Sequence, residues 1–188
     1  TGNICRSPMA EVLLADALAA RGVAAHVHSA GLLDDGRSAS EHSATLMAER
    51  GLDLAAHRSR RMTADLLDGT DLVVGMERRH VREAAVLAPD CWPRAFTLRE
   101  LARRVAAAGP RPADVALGDW LMALSADRTV ADHLGDSAAD DVADPYGRSL
   151  RAYRRCADDL VALVDSVADG LWPVPTPRTD PAFRSTTA

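Results

Sequence analysis

The feature that most constrains this chain is a polar, glycine-containing loop that runs directly into a helix. Residues 1–8 read TGNICRSP, and the apolar stripe of residues 8–21 predicts a helix capped by Ser7. The N–H groups of a first helical turn are unpaired and the helix dipole is positive there, so such a loop attracts anions. Gly2 permits close approach of the backbone, and Arg6 adds a planar fork for two phosphate oxygens. The second glycine and the lysine of a nucleotide-binding phosphate loop are absent from it.

The rest of the chain alternates helices with short apolar strands. We predict strands at residues 23–28, 71–76 and 95–97, and helices at 40–50, 64–67, 77–88, 98–108, 114–126 and 149–168. This alternation predicts the α/β class, as a three-layer, doubly wound, four-stranded parallel sheet with helices on both faces. A loop like that of residues 1–7 follows a strand in such folds, so we expect the first of the four strands before Thr1.

Length and composition predict one ordinary domain. The chain has 188 residues, and we assign residues 1–170 to the domain, with 111–136 as an insertion and the proline-rich 171–188 as a flexible tail. A net charge of −5 argues against a nucleic-acid or membrane-surface binder. Three cysteines are too few for a disulfide framework, and no signal peptide or long apolar run is visible. We therefore expect a cytoplasmic protein.

Five segments in chain order resemble one known family. They are the opening TGNICRSPMAE, the SAG of residues 29–31, the HRSRR of 57–61, the DLVVGMER of 71–78 and the DPY of 144–146. Together they are similar to the low-molecular-weight protein tyrosine phosphatases. The similarity extends over about residues 1–168, apart from the extra segment at 111–136.

The resemblance implies a phosphatase that works through a cysteinyl-phosphate intermediate and needs no cofactor or metal. In that family a nucleophilic cysteine, five residues and an arginine wrap the phosphate, which puts the nucleophile immediately before Thr1. Six residues after Cys5, Cys91 and Cys156 come Glu11, Thr97 and Ala162, so none of the three replaces it. We therefore expect the chain as printed to fold poorly and to lack phosphatase activity.

The resemblance also implies residue roles in the loop. Arg6 and the loop amides hold the phosphate oxygens, which makes Thr1, Gly2, Asn3, Ile4 and Cys5 substrate-binding residues, and Ser7 hydrogen-bonds the nucleophilic sulfur. Cys5 also matches a second loop cysteine with a redox role in the family; a small buried residue is the alternative.

Outside the loop, Asp144 matches the general acid and base, and the acidic neighbours Asp140 and Asp141 would favour its protonated form. Tyr146 is expected to line the pocket and stack on an aromatic substrate. Ser29 and His57, together with Asn3, resemble the residues that hold the loop in shape.

The substrate remains open at the level of sequence. Phosphorylated proteins, above all on tyrosine, or small aryl phosphates are expected, because Ile4 resembles the tyrosine type where arginine phosphatases have Thr. Two features argue against an aromatic substrate. Residues 32–40 supply no aromatic side chain to form a wall of the pocket, and Gly147 occupies the position where many members have a second Tyr. Three alternatives stay open: a protein-arginine phosphatase, an inactive phosphate-binding relative, and an arsenate reductase, which would need two further relay cysteines. We expect a monomer or a weak dimer.

Overall fold

The computed structural model describes residues 2–33 and 36–174. The helices are α1 Arg6–Ala20, α2 Glu41–Ala48, α3 Ala64–Leu67, α4 Arg78–Leu87, α5 Leu98–Ala108, α6 Leu117–Ser125 and α7 Leu150–Leu171. The strands are β1 Val73–Gly75 and β2 Ala95–Thr97, and 3₁₀ helices lie at Pro89–Arg94 and Val130–His133.

The two strands form a parallel sheet, joined by a crossover through α4. Val73 pairs with Ala95 and Val74 pairs with Phe96. The α/β class with a parallel sheet is thus confirmed. The four-stranded sheet is not, because the sheet has two strands in the part of the chain that the structure describes.

Hydrophobic residues cover both faces of this sheet. Alternate residues of a strand point to opposite faces. Val73 and Ala95 accordingly pack with Leu67 of α3, Val81 and Ala84 of α4 and Cys91 of the first 3₁₀ helix. Val74 and Phe96 belong to the main core, which α1, α2, α5, α6 and α7 complete. The three-layer arrangement with helices on both faces is therefore confirmed.

The strand predicted at residues 23–28 is wrong. A strand needs a neighbouring backbone for its ladder of hydrogen bonds. Within the described ranges, residues 24–30 make no backbone-to-backbone hydrogen bond with another segment. Pairing begins only at Gly31, which forms an isolated parallel bridge with Arg61. The apolar composition of this segment indicated a strand, but it did not specify a neighbouring strand to pair with.

Helix α5 has the bounds that the sequence predicts. Thr97 Oγ1 accepts a hydrogen bond from the Glu100 N–H (3.1 Å), and the Glu100 carboxylate accepts one from the Thr97 N–H (3.4 Å). This capping box fixes the start of the helix, and Gly109, with φ of +84°, ends it.

Other predicted boundaries are wrong by a few residues. Helix α1 begins at Arg6 with Cys5 at its N-cap position, so Ser7 lies in the first turn and does not cap the helix. The conformation of the loop at residues 2–5 sets the start of this helix. Helix α6 begins at Leu117, later than predicted. 

Helix α7 continues to Leu171, whose side chain is fully buried, so the tail cannot begin at residue 171. The greater part of that tail, 175–188, lies outside the described residues. Within the described ranges, no helix combines the length and the apolar character that a membrane span requires.

A cluster of buried charges joins the segment predicted as an insertion to the sheet. Arg128 Nε lies 3.0 Å from Glu100 Oε1, and His133 Nε2 lies 3.0 Å from Glu100 Oε2. The Arg128 guanidinium also donates to the Ala95 carbonyl (2.6 Å) and stacks 4.3 Å from the Phe96 ring centroid. We call Glu100, Arg128 and His133 the closed cluster, because every member is buried.

Candidate active site

Residues 2–7 form a tight loop that ends in the first turn of α1. The backbone N–H groups of Ile4, Cys5, Arg6 and Ser7 donate no hydrogen bond to another described residue. Such N–H groups at a helix N terminus carry partial positive charge. The loop therefore offers several backbone donors to an anion.

Asn3 holds the bend of this loop. Its φ of +52° lies in the left-handed region, which Asn tolerates better than most residues that have a Cβ. Its Nδ2 donates to Ser29 Oγ (2.7 Å) and to Ser7 Oγ (3.1 Å), and its Oδ1 accepts from the Arg60 N–H (3.0 Å). Because this amide is buried and fully used, the bend is fixed without a ligand.

His57 supports the same bend from the other side. Its Nε2 lies 2.7 Å from the carbonyl oxygen of Asn3. A carbonyl only accepts hydrogen bonds, so Nε2 carries the proton. The structure thus brings together Asn3, Ser29 and His57, the residues that we expect to shape the loop.

Arg6 is buried beneath the loop, where its guanidinium meets two carboxylates. Nη1 lies 2.5 Å from Glu77 Oε1 and donates to the Val142 carbonyl (2.7 Å), while Nη2 donates to Asp144 Oδ2 (2.8 Å). These contacts hold the planar group in one orientation. The remaining N–H donors of the fork contact no other described residue and are available to an anion.

Glu77 lies in the DLVVGMER segment of residues 71–78, but the sequence predicts no role for it at the site. It directly follows Met76 at the end of β1, and its second oxygen, Oε2, lies 2.5 Å from Arg79 Nε. Burial opposes its ionisation, but Arg6 and Arg79 outweigh this effect and hold the pKa of the Glu77 carboxyl below its ordinary value. The sequence signal that could have identified Glu77 is its position as an acidic residue directly after a buried strand.

Asp144 lies at the edge of the site with its carboxylate partly exposed (42%). Its Oδ2 contacts Arg6, and its Oδ1 accepts a hydrogen bond from the Tyr146 N–H (3.1 Å). The Tyr146 ring is exposed and borders the same cleft as Asp144. These two predicted residues and Arg6 therefore come together from opposite ends of the sequence.

The acidic neighbours Asp140 and Asp141 have partners of their own in the fold. Asp140 pairs with Arg78 (2.7 Å) and Arg103 (2.8 Å), and these arginines outweigh the effect of burial and lower the pKa of its carboxyl. Asp141 accepts hydrogen bonds from the N–H groups of Arg78 and Ser137. Each neighbouring acid is thus held by partners other than Asp144, Asp140 by two arginines and Asp141 by two backbone N–H groups.

The side chain of Cys5 turns away from the loop interior. Its Sγ lies 3.2 Å from Tyr153 Oη and 3.5 Å from Ser40 Oγ, in the core. Burial, followed by the contact with Cys5, raises the pKa of Tyr153 to about 12. Cys5 can therefore contribute its backbone N–H to an anion, while its sulfur packs against α7 and the start of α2.

A cleft of about 970 Å³ opens beside the loop. It is lined by residues 2–7, 23–33 and 65–76, and by Asp144 and Tyr146. Ile4 is buried in the main core and its side chain lies beside Gly2. Thr1, the remaining predicted loop residue, lies outside the described residues.

Comparison with known families decides what this loop belongs to. The family model for low molecular weight phosphotyrosine protein phosphatase matches residues 1–110. The chain belongs to this family. Its α/β fold is accordingly that of a low-molecular-weight phosphatase.

Curated relatives of this low-molecular-weight phosphatase carry two kinds of name. This chain is 30% identical to the protein-arginine-phosphatase of Geobacillus stearothermophilus over 173 residues, and these residues cover 91% of each chain. It is 42% identical over 81 residues to the probable low molecular weight protein-tyrosine-phosphatase AmsI of Erwinia amylovora, which is 43% of this chain and 54% of AmsI.

Solved structures show the same two kinds. The low molecular weight protein tyrosine phosphatase from T. tengcongensis superposes with a TM-score of 0.68 at 28% identity, covering 91% of this chain and 95% of that one. The YwlE arginine phosphatase from Geobacillus stearothermophilus superposes with a TM-score of 0.65 at 29% identity, covering 90% and 86%. The family thus supports hydrolysis of phosphate groups.

Proposed function

We propose that this protein hydrolyses phosphomonoesters by two-step phosphoryl transfer, with the phosphoryl group bound in the loop of residues 2–7. The observation that carries the proposal is that the N–H groups of Ile4 to Ser7 donate no hydrogen bond to another described residue and lie beside the buried guanidinium of Arg6. These donors would hold the three non-bridging oxygens as charge redistributes in the transition state. Because Asn3 fixes the loop, little reorganisation is needed when the substrate arrives.

Asp144 is proposed as the general acid and base. In the first step a thiolate attacks phosphorus, the bond to the ester oxygen breaks, and Asp144 gives that oxygen a proton. In the second step water attacks the phosphorus, Asp144 takes its proton, and the S–P bond breaks to release phosphate. The contact between Asp144 and Arg6 supports this role, because it keeps the carboxyl beside the phosphate-binding fork.

We further propose that the nucleophile is a cysteine that precedes Thr1 in the intact gene product. The sulfur of Cys5 faces Tyr153, and Cys91 and Cys156 are buried in the two cores. Ser7 would then hydrogen-bond the nucleophilic sulfur.

The proposed substrate is a protein phosphorylated on tyrosine, or a small aryl phosphate. Ile4 in the loop supports this class, and the exposed ring of Tyr146 is available to stack on an aromatic leaving group. Phosphoarginine is the second candidate. It is favoured because the similarity to the arginine phosphatase extends over 91% of the chain, against 43% for AmsI.

We propose the cytoplasm as the compartment and a monomer or weak dimer as the working form. The three cysteines, all of them free thiols, fit a reducing compartment.

The test measures phosphate release from phosphotyrosine and phosphoarginine peptides by the intact gene product. We expect turnover, greater on phosphotyrosine, and loss of at least about 100-fold in Asp144→Asn. Asp136→Asn is the matched control, because Asp136 is exposed in the same loop, and it should retain full activity. No hydrolysis of either peptide, or a residue other than Cys before Thr1, would overturn the proposal.

A further inference from the structure

A second cavity, of about 430 Å³, is also bordered by Asp144. Its walls are the segment around Pro145, the first turns of α7 and the start of α5. Three arginines line it, Arg99 from α5 and Arg148 and Arg155 from the region of α7. We call these three residues and the space between them the arginine pocket.

The positive charge of the arginine pocket is only partly neutralised. Its two acidic residues are already paired, Asp144 with Arg6 (2.8 Å) and Asp159 with Arg99 (2.6 Å). Arg148 and Arg155 have no carboxylate partner in the described part of the chain. The protein as a whole has a net charge of −5, so two arginines without a carboxylate partner at one cavity make a local positive region on a negatively charged molecule.

The helix terminus adds to this charge. The first turn of α7 contains no acidic residue, and the Ser149 side chain makes no capping hydrogen bond. Arg148 directly precedes Ser149, so a cation stands where the helix dipole is already positive. That arrangement is unfavourable in the free protein, and a bound anion would relieve it.

We infer that the arginine pocket binds an acidic side chain of the substrate protein, close in sequence to the phosphorylated residue. The inference rests on the proposed function and adds a substrate preference to it. Asp144 borders both the loop cleft and the arginine pocket, so the two spaces meet at this side chain. An extended peptide advances about 3.5 Å per residue, so a neighbouring Asp or Glu reaches the pocket while the phosphate sits on Arg6.

The test compares two phosphopeptides of equal length that differ in one feature. One carries Glu on both sides of the phosphorylated residue and the other carries Gln. Their dissociation constants are measured by calorimetry with the intact gene product, and phosphate release is followed separately. We expect about tenfold tighter binding of the Glu peptide, because charge-assisted hydrogen bonds to arginine are stronger than neutral ones.

The variants locate the effect. Arg148→Gln combined with Arg155→Gln should weaken the Glu peptide to the level of the Gln peptide and leave the Gln peptide unchanged. Arg151→Gln is the matched control, because Arg151 lies exposed on the same helix but does not line the cavity. It should keep the preference.

Each other outcome overturns the inference. These are equal binding of the two peptides, an equal loss on both peptides in the double variant, or a loss in Arg151→Gln as large as in the double variant. A protein that prefers the Glu peptide but releases no phosphate from either peptide would overturn the proposed function instead. Binding of inorganic phosphate that the double variant abolishes, with no peptide preference, would mark the pocket as a site for a free anion and also overturn the inference.

Discussion

Two buried arginines of this protein have opposite surroundings. Arg128 lies in the closed cluster, where Glu100, the Ala95 carbonyl and the Phe96 ring occupy the guanidinium. Arg6 is equally buried, but it lies beside a cleft and beside backbone N–H groups that donate to no other described residue. Burial of an arginine therefore does not distinguish a structural from a functional group. A functional arginine differs from a structural one in having N–H donors nearby that remain available to bind a ligand.

The largest expected effect comes from breaking the closed cluster. Arg128→Met takes one of three cationic partners from the buried Glu100 carboxylate, which keeps Arg104 (3.0 Å) and His133 (3.0 Å), and it leaves the Ala95 carbonyl without its donor. We expect this to cost about 3 kcal/mol. Urea unfolding should show this loss in the free energy of unfolding. Phosphate affinity of the folded protein should stay within about twofold of the parent, because the cluster includes none of the proposed phosphate donors, Arg6 and the N–H groups of residues 4–7. A variant as stable as the parent would show that the cluster contributes little.

Breaking the open site should change binding more than stability. Arg6→Gln removes the charged fork, and we expect about 100-fold weaker binding of inorganic phosphate, measured by calorimetry. The loss of stability should be smaller than in Arg128→Met, because Asp144 is partly exposed and Glu77 keeps Arg79. Equal affinity in parent and variant would remove Arg6 from the binding site.

The loop bend can be tested with a pair of variants at one position. Asn3→Ala loses the side-chain hydrogen bonds and also places a Cβ without polar atoms at φ of +52°. Asn3→Gly loses the same hydrogen bonds without the strain. We expect the Ala variant to unfold with a free energy about 1 kcal/mol lower than the Gly variant. Equal stabilities would mean that the left-handed conformation at Asn3 is not strained for Ala.

The smallest expected effect concerns acid stability. Neighbouring cations lower the pKa of two buried carboxyls against the effect of burial: Arg6 and Arg79 act on Glu77, and His133, Arg128 and Arg104 act on Glu100. A lowered folded-state pKa stabilises the fold above the ordinary value of 4.5, and this contribution is lost as the pH falls through the lower folded value. Unfolding measured from pH 6 to pH 3 should therefore show falling stability, with a shallower slope in Glu100→Gln. An unchanged slope in that variant would contradict the assigned shift.

Local signals account for what the sequence predicts well. Helix α5 is bounded by Thr97 and Gly109, whose cap and stop depend on a few adjacent residues. The short strand at 95–97 lies directly between the 3₁₀ helix that ends at Arg94 and the start of α5. The motifs also named Arg6, Asp144 and Asn3, which the fold brings together in one place.

Features that depend on distant partners were not predictable in this way. Residues 23–28 read as a strand, but strand formation requires a neighbour, which local composition does not specify. Glu77 pairs with Arg6 across seventy-one positions of sequence, and Arg128 meets Glu100 only through the packing of α5. The charge of Asp140 was visible in the sequence, but its two arginine partners were not.

The central claim is that the N–H groups of residues 4–7 and the fork of Arg6 bind a phosphoryl group. The most direct measurement is a titration of the ¹⁵N-labelled intact gene product with inorganic phosphate, followed through its amide resonances. The account predicts saturable shifts that are largest at Ile4 to Ser7, absent in Arg6→Gln and negligible at Arg128 and His133. Loop amides that do not move, or that move equally in Arg6→Gln, would contradict it.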